Sequence, residues 1–358
     1  MNKTTDKAWL ILADGTVYEG KSVGAAGTVY GELVCTTGMT GFQESLTDQS
    51  YYGQILAQTF PLMGNYGINN YDENTRVWVN GYVMREHCEN PSNFRSQMGL
   101  EEFLKKQNTV GIYGVDTRAL TRKVRTNGAM NCAITTEFPG DLSALLGEIR
   151  EYKIEMTAPD SPPEIFGEDG FERTVVLYDY GVKDDMIKSL VSRRCKVVSV
   201  SPGTSVDGAM MKYAPDGFFI ADGAGDPADY AAYLNIVRDI MASNKPVIGI
   251  GLGHQLMAMA LGARVEKMKY GHRGANQPVL DVKLDKVFIS TQNHGYTVCP
   301  DSVTENVGAV SHKNVNDGTC EGIRYAPGNA ASLQYNPEPS SGPPDTKYFY
   351  DDFIDCMK

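Results

Sequence analysis

The sequence predicts an α/β protein of two domains: a β-rich N-terminal domain, then a doubly wound, mostly parallel α/β domain. Three observations carry this expectation. At 358 residues the chain is longer than one hydrophobic core usually serves. Its first part carries strand and hairpin signals. From residue 174 onward, short apolar runs alternate with helical patterns, as βαβ units and a parallel sheet require. The expected limits are 1–150 for the first domain, 151–172 for a linker and 173–358 for the second.

The apolar run Trp9 to Leu12 is followed by Asp14-Gly15 and then Thr16 to Tyr18, which is a short-range hairpin signal. Val77 to Val83 alternates and reads as a further strand. Between Asp116 and Gly128 the period becomes helical: Asp116 can cap, Leu120 and Val124 share a face, and Asn127-Gly128 ends the helix. Arg118, Arg122 and Arg125 fall on a neighbouring face. A phosphate-binding face and a solvated or salt-bridged face are both open there, the second favoured. A helical stretch from Leu142 to Lys153 leads into Ala158 to Pro163, whose prolines oppose helix and sheet pairing. Strands are then expected at Thr174–Tyr178, Lys196–Val200, Gly217–Ile220 and Pro246–Ile250. Helices are expected at Lys183–Ser192, around Tyr230–Met241, and from about Gln255.

Composition narrows the function. Hydrophobic residues make up 42% and charged ones 22%, as in ordinary globular proteins. A net charge of -11 argues against nucleic-acid and anionic-membrane partners. The seven cysteines are odd in number and form no CxxC pair, which argues for reduced thiols and against a disulfide framework or a metal site. A polar start at Met1 to Lys7 and no apolar run of spanning length lead to a cytoplasmic expectation.

Ligands in such sheets sit beyond the carboxyl ends of the strands. Two glycine-rich loops fall there, Asp222-Gly-Ala-Gly-Asp226 and Gly249-Ile-Gly-Leu-Gly-His-Gln255. Their backbone N–H groups can hold anionic groups, or they are simply tight turns. A dinucleotide GxGxxG does not fit the second loop, because the sixth position is His254 counted from Gly249 and Leu256 counted from Gly251. A strand, a Gly-x-nucleophile-x-Gly turn and a helix do fit, which is the elbow that presents a strained catalytic residue.

The run Pro246 to Leu256 resembles the elbow of class I, triad-type glutamine amidotransferases, with Gly251 where that family has cysteine. Other segments narrow the resemblance to the small subunit of carbamoyl phosphate synthetase. Thr36–Glu44, Ser92–Arg95 and Asp116–Arg122 are similar to its N-terminal domain. Gly271–Asn276, Gln292–Tyr296 and Pro337-Glu338 are similar to its amidotransferase domain. The likeness runs from about residue 8 to 355.

The resemblance implies a Cys–His–Glu triad in which cysteine attacks the glutamine amide, histidine moves the proton and the carboxylate orients the histidine. Backbone N–H groups of the two glycine-rich loops would form the oxyanion hole. Here the nucleophile position is Gly251, the base position is Asn336, and Glu338 alone of the triad remains. Neither glycine nor asparagine can replace the lost groups. His254 and His294 fall near the implied pocket and are read as hydrogen-bonding loop supports. The resemblance also assigns glutamine contacts to Ser50, Gly223, Gly225, Leu252, Gln255, Asn293, Gly295 and Tyr296. Ser50 would roof the pocket from the first domain. Ala224 and Tyr335 depart from the family's proline and glycine, and a ring at Tyr335 has the size to crowd the substrate, so glutamine stays an open partner. The expected function is a structural or regulatory small subunit of ammonia-dependent carbamoyl phosphate synthesis, serving arginine and pyrimidine biosynthesis. Its partner would be the large subunit, which uses ATP and Mg, and this chain would need no cofactor. The alternatives are a non-catalytic glutamine-binding module, and an ordinary subunit whose two residues were altered by engineering.

Overall fold

The computed structural model describes residues 7–69, 76–154, 160–326, 328–338 and 342–357. Of the polar N-terminus and the expected proline-rich junction, residues 1–6 and 155–159 lie outside these. The chain forms two compact units, Met1–Glu155 and Met156–Lys358.

Among the described residues, the first unit carries the strands β1 (Lys7–Leu12), β2 (Val17–Gly24), β3 (Thr28–Thr36), β4 (Gln54–Gln58), β5 (Leu62–Met63), β6 (Gly81–Met84), β7 (Glu86–His87), β8 (Val110–Tyr113) and β9 (Met130–Thr135). Four helices join them: α1 (Phe42–Thr47), α2 (Leu100–Lys106), α3 (Thr117–Asn127) and α4 (Leu142–Glu151). Seven strands close into a barrel in the order β1-β2-β8-β6-β4-β3-β9, which removes open sheet edges. The β1–β2 hairpin is antiparallel, as the Asp14-Gly15 turn predicts. The strand expected over Val77–Val83 is shorter. Only Gly81–Met84 pairs, buried on both faces, while Val79 makes a lone bridge to Tyr52. Just before β6, Asn80 N–H donates to Gln54 O of β4 at 2.8 Å, and its side-chain amide donates to Tyr30 O at 2.9 Å. Leu120 and Val124 of α3 pack with Leu10, Leu33, Ile55 and Ile112 in one core. Asp116 caps α3 by accepting from Ala119 N–H at 3.0 Å.

The second unit carries β10 (Glu164–Phe166), β11 (Arg173–Tyr180), β12 (Cys195–Val200), β13 (Gly217–Gly223), β14 (Val247–Ile250), β15 (Val265–Asp281), β16 (Lys286–Val298), β17 (Gly308–Asn314), β18 (Cys320–Tyr325) and β19 (Ala330–Leu333). Its helices are α5 (Asp184–Val191), α6 (Val206–Tyr213), α7 (Leu234–Met241), α8 (Leu252–Ala260) and α9 (Tyr348–Cys356). The sheet order is β10-β12-β11-β13-β14-β19-β18-β17-β15-β16. The run β12-β11-β13-β14-β19 is parallel, and the strands beyond β19 form an antiparallel extension. Side chains alternate between two cores. Val176, Tyr178, Val198, Phe218 and Ile220 face α6, α7 and α8. Val175, Leu177, Val197 and Phe219 face α5 and α9. Burying each such side chain contributes about 1.5–3 kcal/mol, which is what holds helices on both faces. Within the stretch expected as linker, β10 begins directly after Pro163 and pairs with β12, while the described prolines themselves lie outside the strand. Among the described residues, no helix is long and apolar enough to cross a membrane.

Candidate functional site

Strands β13 and β14 are parallel neighbours, with Phe218 opposite Val247 and Ile220 opposite Gly249. The turns that leave them therefore open side by side at the carboxyl edge of the sheet. After Ile250 the chain turns at Gly251 with φ 56° and ψ -112°, and α8 begins at Leu252, three residues earlier than expected. An L side chain held in such backbone geometry costs about 1–3 kcal/mol, which glycine avoids. Gly253 is needed for packing: a β-carbon there would lie 2.1 Å from Ile220 O, so α8 rests directly against β13.

The space above Gly251 is filled. A β-carbon at this position would lie 2.0 Å from Asp222 Oδ1. The same oxygen accepts from Leu252 N–H at 2.9 Å and from Gly223 N–H at 2.8 Å. One donor comes from each glycine-rich loop, and Leu252 N–H opens α8, where the helix dipole also favours an anion. Lys183 Nζ stands 3.7 Å from Asp222 Oδ2, both side chains largely buried. The protein thus supplies its own carboxylate to the two backbone donors.

Glu338 is buried, and Oε1 accepts from the Tyr350 hydroxyl. Its Oε2 has no hydrogen-bond partner among the described residues. Burial pushes its carboxyl up to about 7, against the downward pull of Lys183 and Tyr350, while Asp222 adds a further push upward. Asn336 is tied through its backbone N–H to Thr291 O on β16 at 2.9 Å.

The remaining expected positions divide between supporting bonds and open backbone. Gln255 donates to Tyr296 O at 3.1 Å and to Gln334 Oε1 at 2.9 Å, and the Tyr296 hydroxyl donates to Asp226 Oδ2 at 3.0 Å. These bonds fasten α8 and the first glycine-rich loop to the β16 segment holding Asn293, Gly295 and Tyr296. Gly225 turns with φ 87°. Ser50 lies in the first unit, where its N–H and hydroxyl both donate to Asp48. Tyr335 is 1% exposed and packs in the α9-side core, edge-on to His312 at 5.8 Å between ring centres. Its ring is thus part of that core.

His254 is fully buried, its Nδ1 sharing a hydrogen bond with Ser332 Oγ at 2.7 Å, and burial drops its pKa to about 3, so the ring is neutral. Three thiols of this unit are held protonated by burial. Burial pushes Cys195 up to about 11 and Cys320 up to about 12, and raises Cys299. A metal has one candidate place among the described residues: His272, His294 and Glu321 bring ligand atoms within 4.8 Å of one another. There, however, His272 lies between two carboxylates, Glu321 at 3.2 Å and Asp317 at 2.8 Å, and although burial pulls its pKa down, these two carry it above the usual histidine value. His294 places Nδ1 2.8 Å from Tyr296 O and thereby supports the same β16 segment.

Sequence reasoning missed Asp222, Lys183 and Tyr350. Asp222 stood in a quoted loop, and an acid beside an expected oxyanion hole was the available signal. Lys183 and Tyr350 gave none, since they reach the site only through the fold of α5 and α9.

The comparisons with known proteins follow this geometry. The family described as "Carbamoyl-phosphate synthase small chain, CPSase domain" matches residues 10–134, and "Glutamine amidotransferase class-I" matches residues 176–356. A carbamoyl phosphate synthase small chain from Nostoc sp. is 42% identical over 98% of this chain and 95% of its own length. The chain belongs to the carbamoyl phosphate synthase small-chain family. A small chain from Clostridium acetobutylicum is 39% identical over 97% of this chain and 99% of its own. A pyrimidine-specific small chain from Bacillus subtilis is 40% identical over 98% and 96%. The two family domains fall one on each compact unit. The elbow and its carboxylate therefore belong to the amidotransferase part of a small chain.

Proposed function

We propose that this chain serves as the small subunit of a carbamoyl phosphate synthase that works from free ammonium, its own glutamine hydrolysis having been lost. One observation carries the reading: at an elbow with no nucleophile, Asp222 takes an N–H donor from each glycine-rich loop. A tetrahedral intermediate needs those donors free, and losing even one such donor typically costs a hundredfold or more in rate, on the order of 3 kcal/mol. Gly251 removes the attacking atom, and Asn336 removes the proton carrier. What remains is a folded amidotransferase unit that supports assembly and ordering rather than hydrolysis.

The partner in this reading is the large synthase subunit, which would bind ATP and Mg and hold the phosphate chemistry. The product would feed pyrimidine and arginine biosynthesis in the cytoplasm. The test pairs this chain with the large subunit of the same organism and measures carbamoyl phosphate made from ammonium and from glutamine. Ammonium is expected to support synthesis and glutamine to give background only, with no ammonia released from glutamine by the isolated chain. Sustained glutamine turnover by the purified complex would overturn the reading.

A further inference from the structure

The exposed face of α3 contributes to a feature of the first unit that the elbow does not explain. Together with Arg85 and the Thr59–Pro61 segment it forms a groove of about 670 Å³, lined by Arg85, Arg118, Arg122, Arg125, Thr121 and Asp116 among others. We propose that this groove docks an acidic segment of the partner synthase subunit, an inference that rests on the reading of the chain as a small subunit.

Charge is the first argument. Four guanidinium groups line the groove against one carboxylate, Asp116, which is 3.9 Å from Arg85 and also caps α3. The surplus stands on a chain of net charge -11, so it runs against the molecule as a whole. Pairing is the second. Among the described residues, no carboxylate lies within ion-pair distance of Arg118, Arg122 or Arg125, and all three are exposed. Lys123, in the same helix but outside the groove, is matched by Asp14 at 2.7 Å. Like charges at i, i+4 (Arg118 and Arg122) and i, i+3 (Arg122 and Arg125) weaken a helix, so folding gains nothing from the row. Its free donors are left for something outside the chain.

Geometry then selects the occupant. Arg118 to Arg125 spans about 10 Å along the helix, the length of about three residues of extended chain. That exceeds a single phosphate group and suits a peptide whose acidic side chains recur every two or three residues. Guanidinium forks bind carboxylates through paired hydrogen bonds, which gives such a contact both strength and register. The overall negative charge of the protein disfavours nucleic acid in the same place.

The test is equilibrium binding of the full-length chain to the large subunit at low and high salt. It compares the unaltered chain, the triple variant Arg118→Gln, Arg122→Gln, Arg125→Gln, and Lys123→Gln. The triple variant should bind about tenfold or more weakly at low salt and lose much of its salt dependence, while Lys123→Gln should bind as the unaltered chain does. Because all three arginines are exposed, the triple variant's thermal midpoint should not fall. Undiminished affinity in the triple variant overturns the proposal. So does loss of inorganic pyrophosphate binding with subunit affinity intact, which would assign the groove to a small anion. If the unaltered chain forms no complex at all, the small-subunit reading itself fails, a result distinct from either.

Discussion

At the scale of single residues, Gly251 and Asp222 behave as one change. The carboxylate occupies the volume that a side chain at 251 would need, since a β-carbon there would sit 2.0 Å from Asp222 Oδ1. Gly251→Cys alone should therefore destabilise the protein by about 2 kcal/mol or more through backbone strain and this clash, and should hydrolyse no glutamine. Adding Asn336→His restores a base but leaves the donors occupied. Measurable turnover is expected only when Asp222→Ala is added to both. Thermal midpoints and ammonia release across the single, double and triple variants check this, and activity in the double variant would show that Asp222 does not block the hole. Glu338 supports a prediction about pH. Its carboxyl is raised from 4.5 to about 7 in the folded protein, chiefly by burial. Between those values the native state holds a proton that the unfolded state has released, so this group's contribution to stability falls as pH rises through the window. The full effect is on the order of 3 kcal/mol. Urea unfolding of Glu338→Gln and the unaltered protein at pH 5 and pH 8 should show the variant's advantage at the higher pH. Equal differences at both pH values would mean that Glu338 is ionised in both states.

At the scale of elements, the site depends on how closely α8 lies against the sheet. The helix starts at Leu252 rather than near Gln255 because the chain reverses within one residue, which only the backbone of Gly251 makes easy. That short turn aims Leu252 N–H at Asp222. Gly253 then permits the contact with β13. Gly253→Ala should cost about 2 kcal/mol or more, because a β-carbon 2.1 Å from Ile220 O forces the helix outward. Chemical denaturation measures this directly, and a cost under 0.5 kcal/mol would show that α8 shifts freely. Much of this layer was legible beforehand. Asp116, Leu120, Val124 and Gly128 marked α3 because cap, period and stop signal agree locally. The strand at Val77–Val83 was misjudged for the opposite reason. Its alternation was real, but Val79 pairs with Tyr52 through an isolated bridge and the regular β4–β6 register starts only at Gly81, a choice of partners made by distant segments.

At the scale of the whole molecule, composition and spacing were enough to expect a β-rich domain followed by a doubly wound α/β domain, and resembling segments in a fixed order pointed to the small-chain family. Those features are local or serial: a period of two or 3.6, a turn residue at a fixed offset, family segments in a fixed order. Gly251, Asn336 and Glu338 could be named as site positions because each sits inside such a run. The tertiary structure decided what fills the space they leave. Asp222 and Leu252 are 30 residues apart and meet because β13 and β14 are adjacent parallel strands. Tyr350 reaches Glu338 because α9 returns across the sheet, and Tyr335 packs in the core on that side. The arginine row on α3 was visible as a helical face. That it lines a groove with Arg85, with no carboxylate of the described residues in ion-pair range of Arg118, Arg122 or Arg125, follows from the barrel that carries both. Sequence records which chemical groups are present and which are lost, whereas burial and hydrogen bonding between distant segments decide their charge and their neighbours.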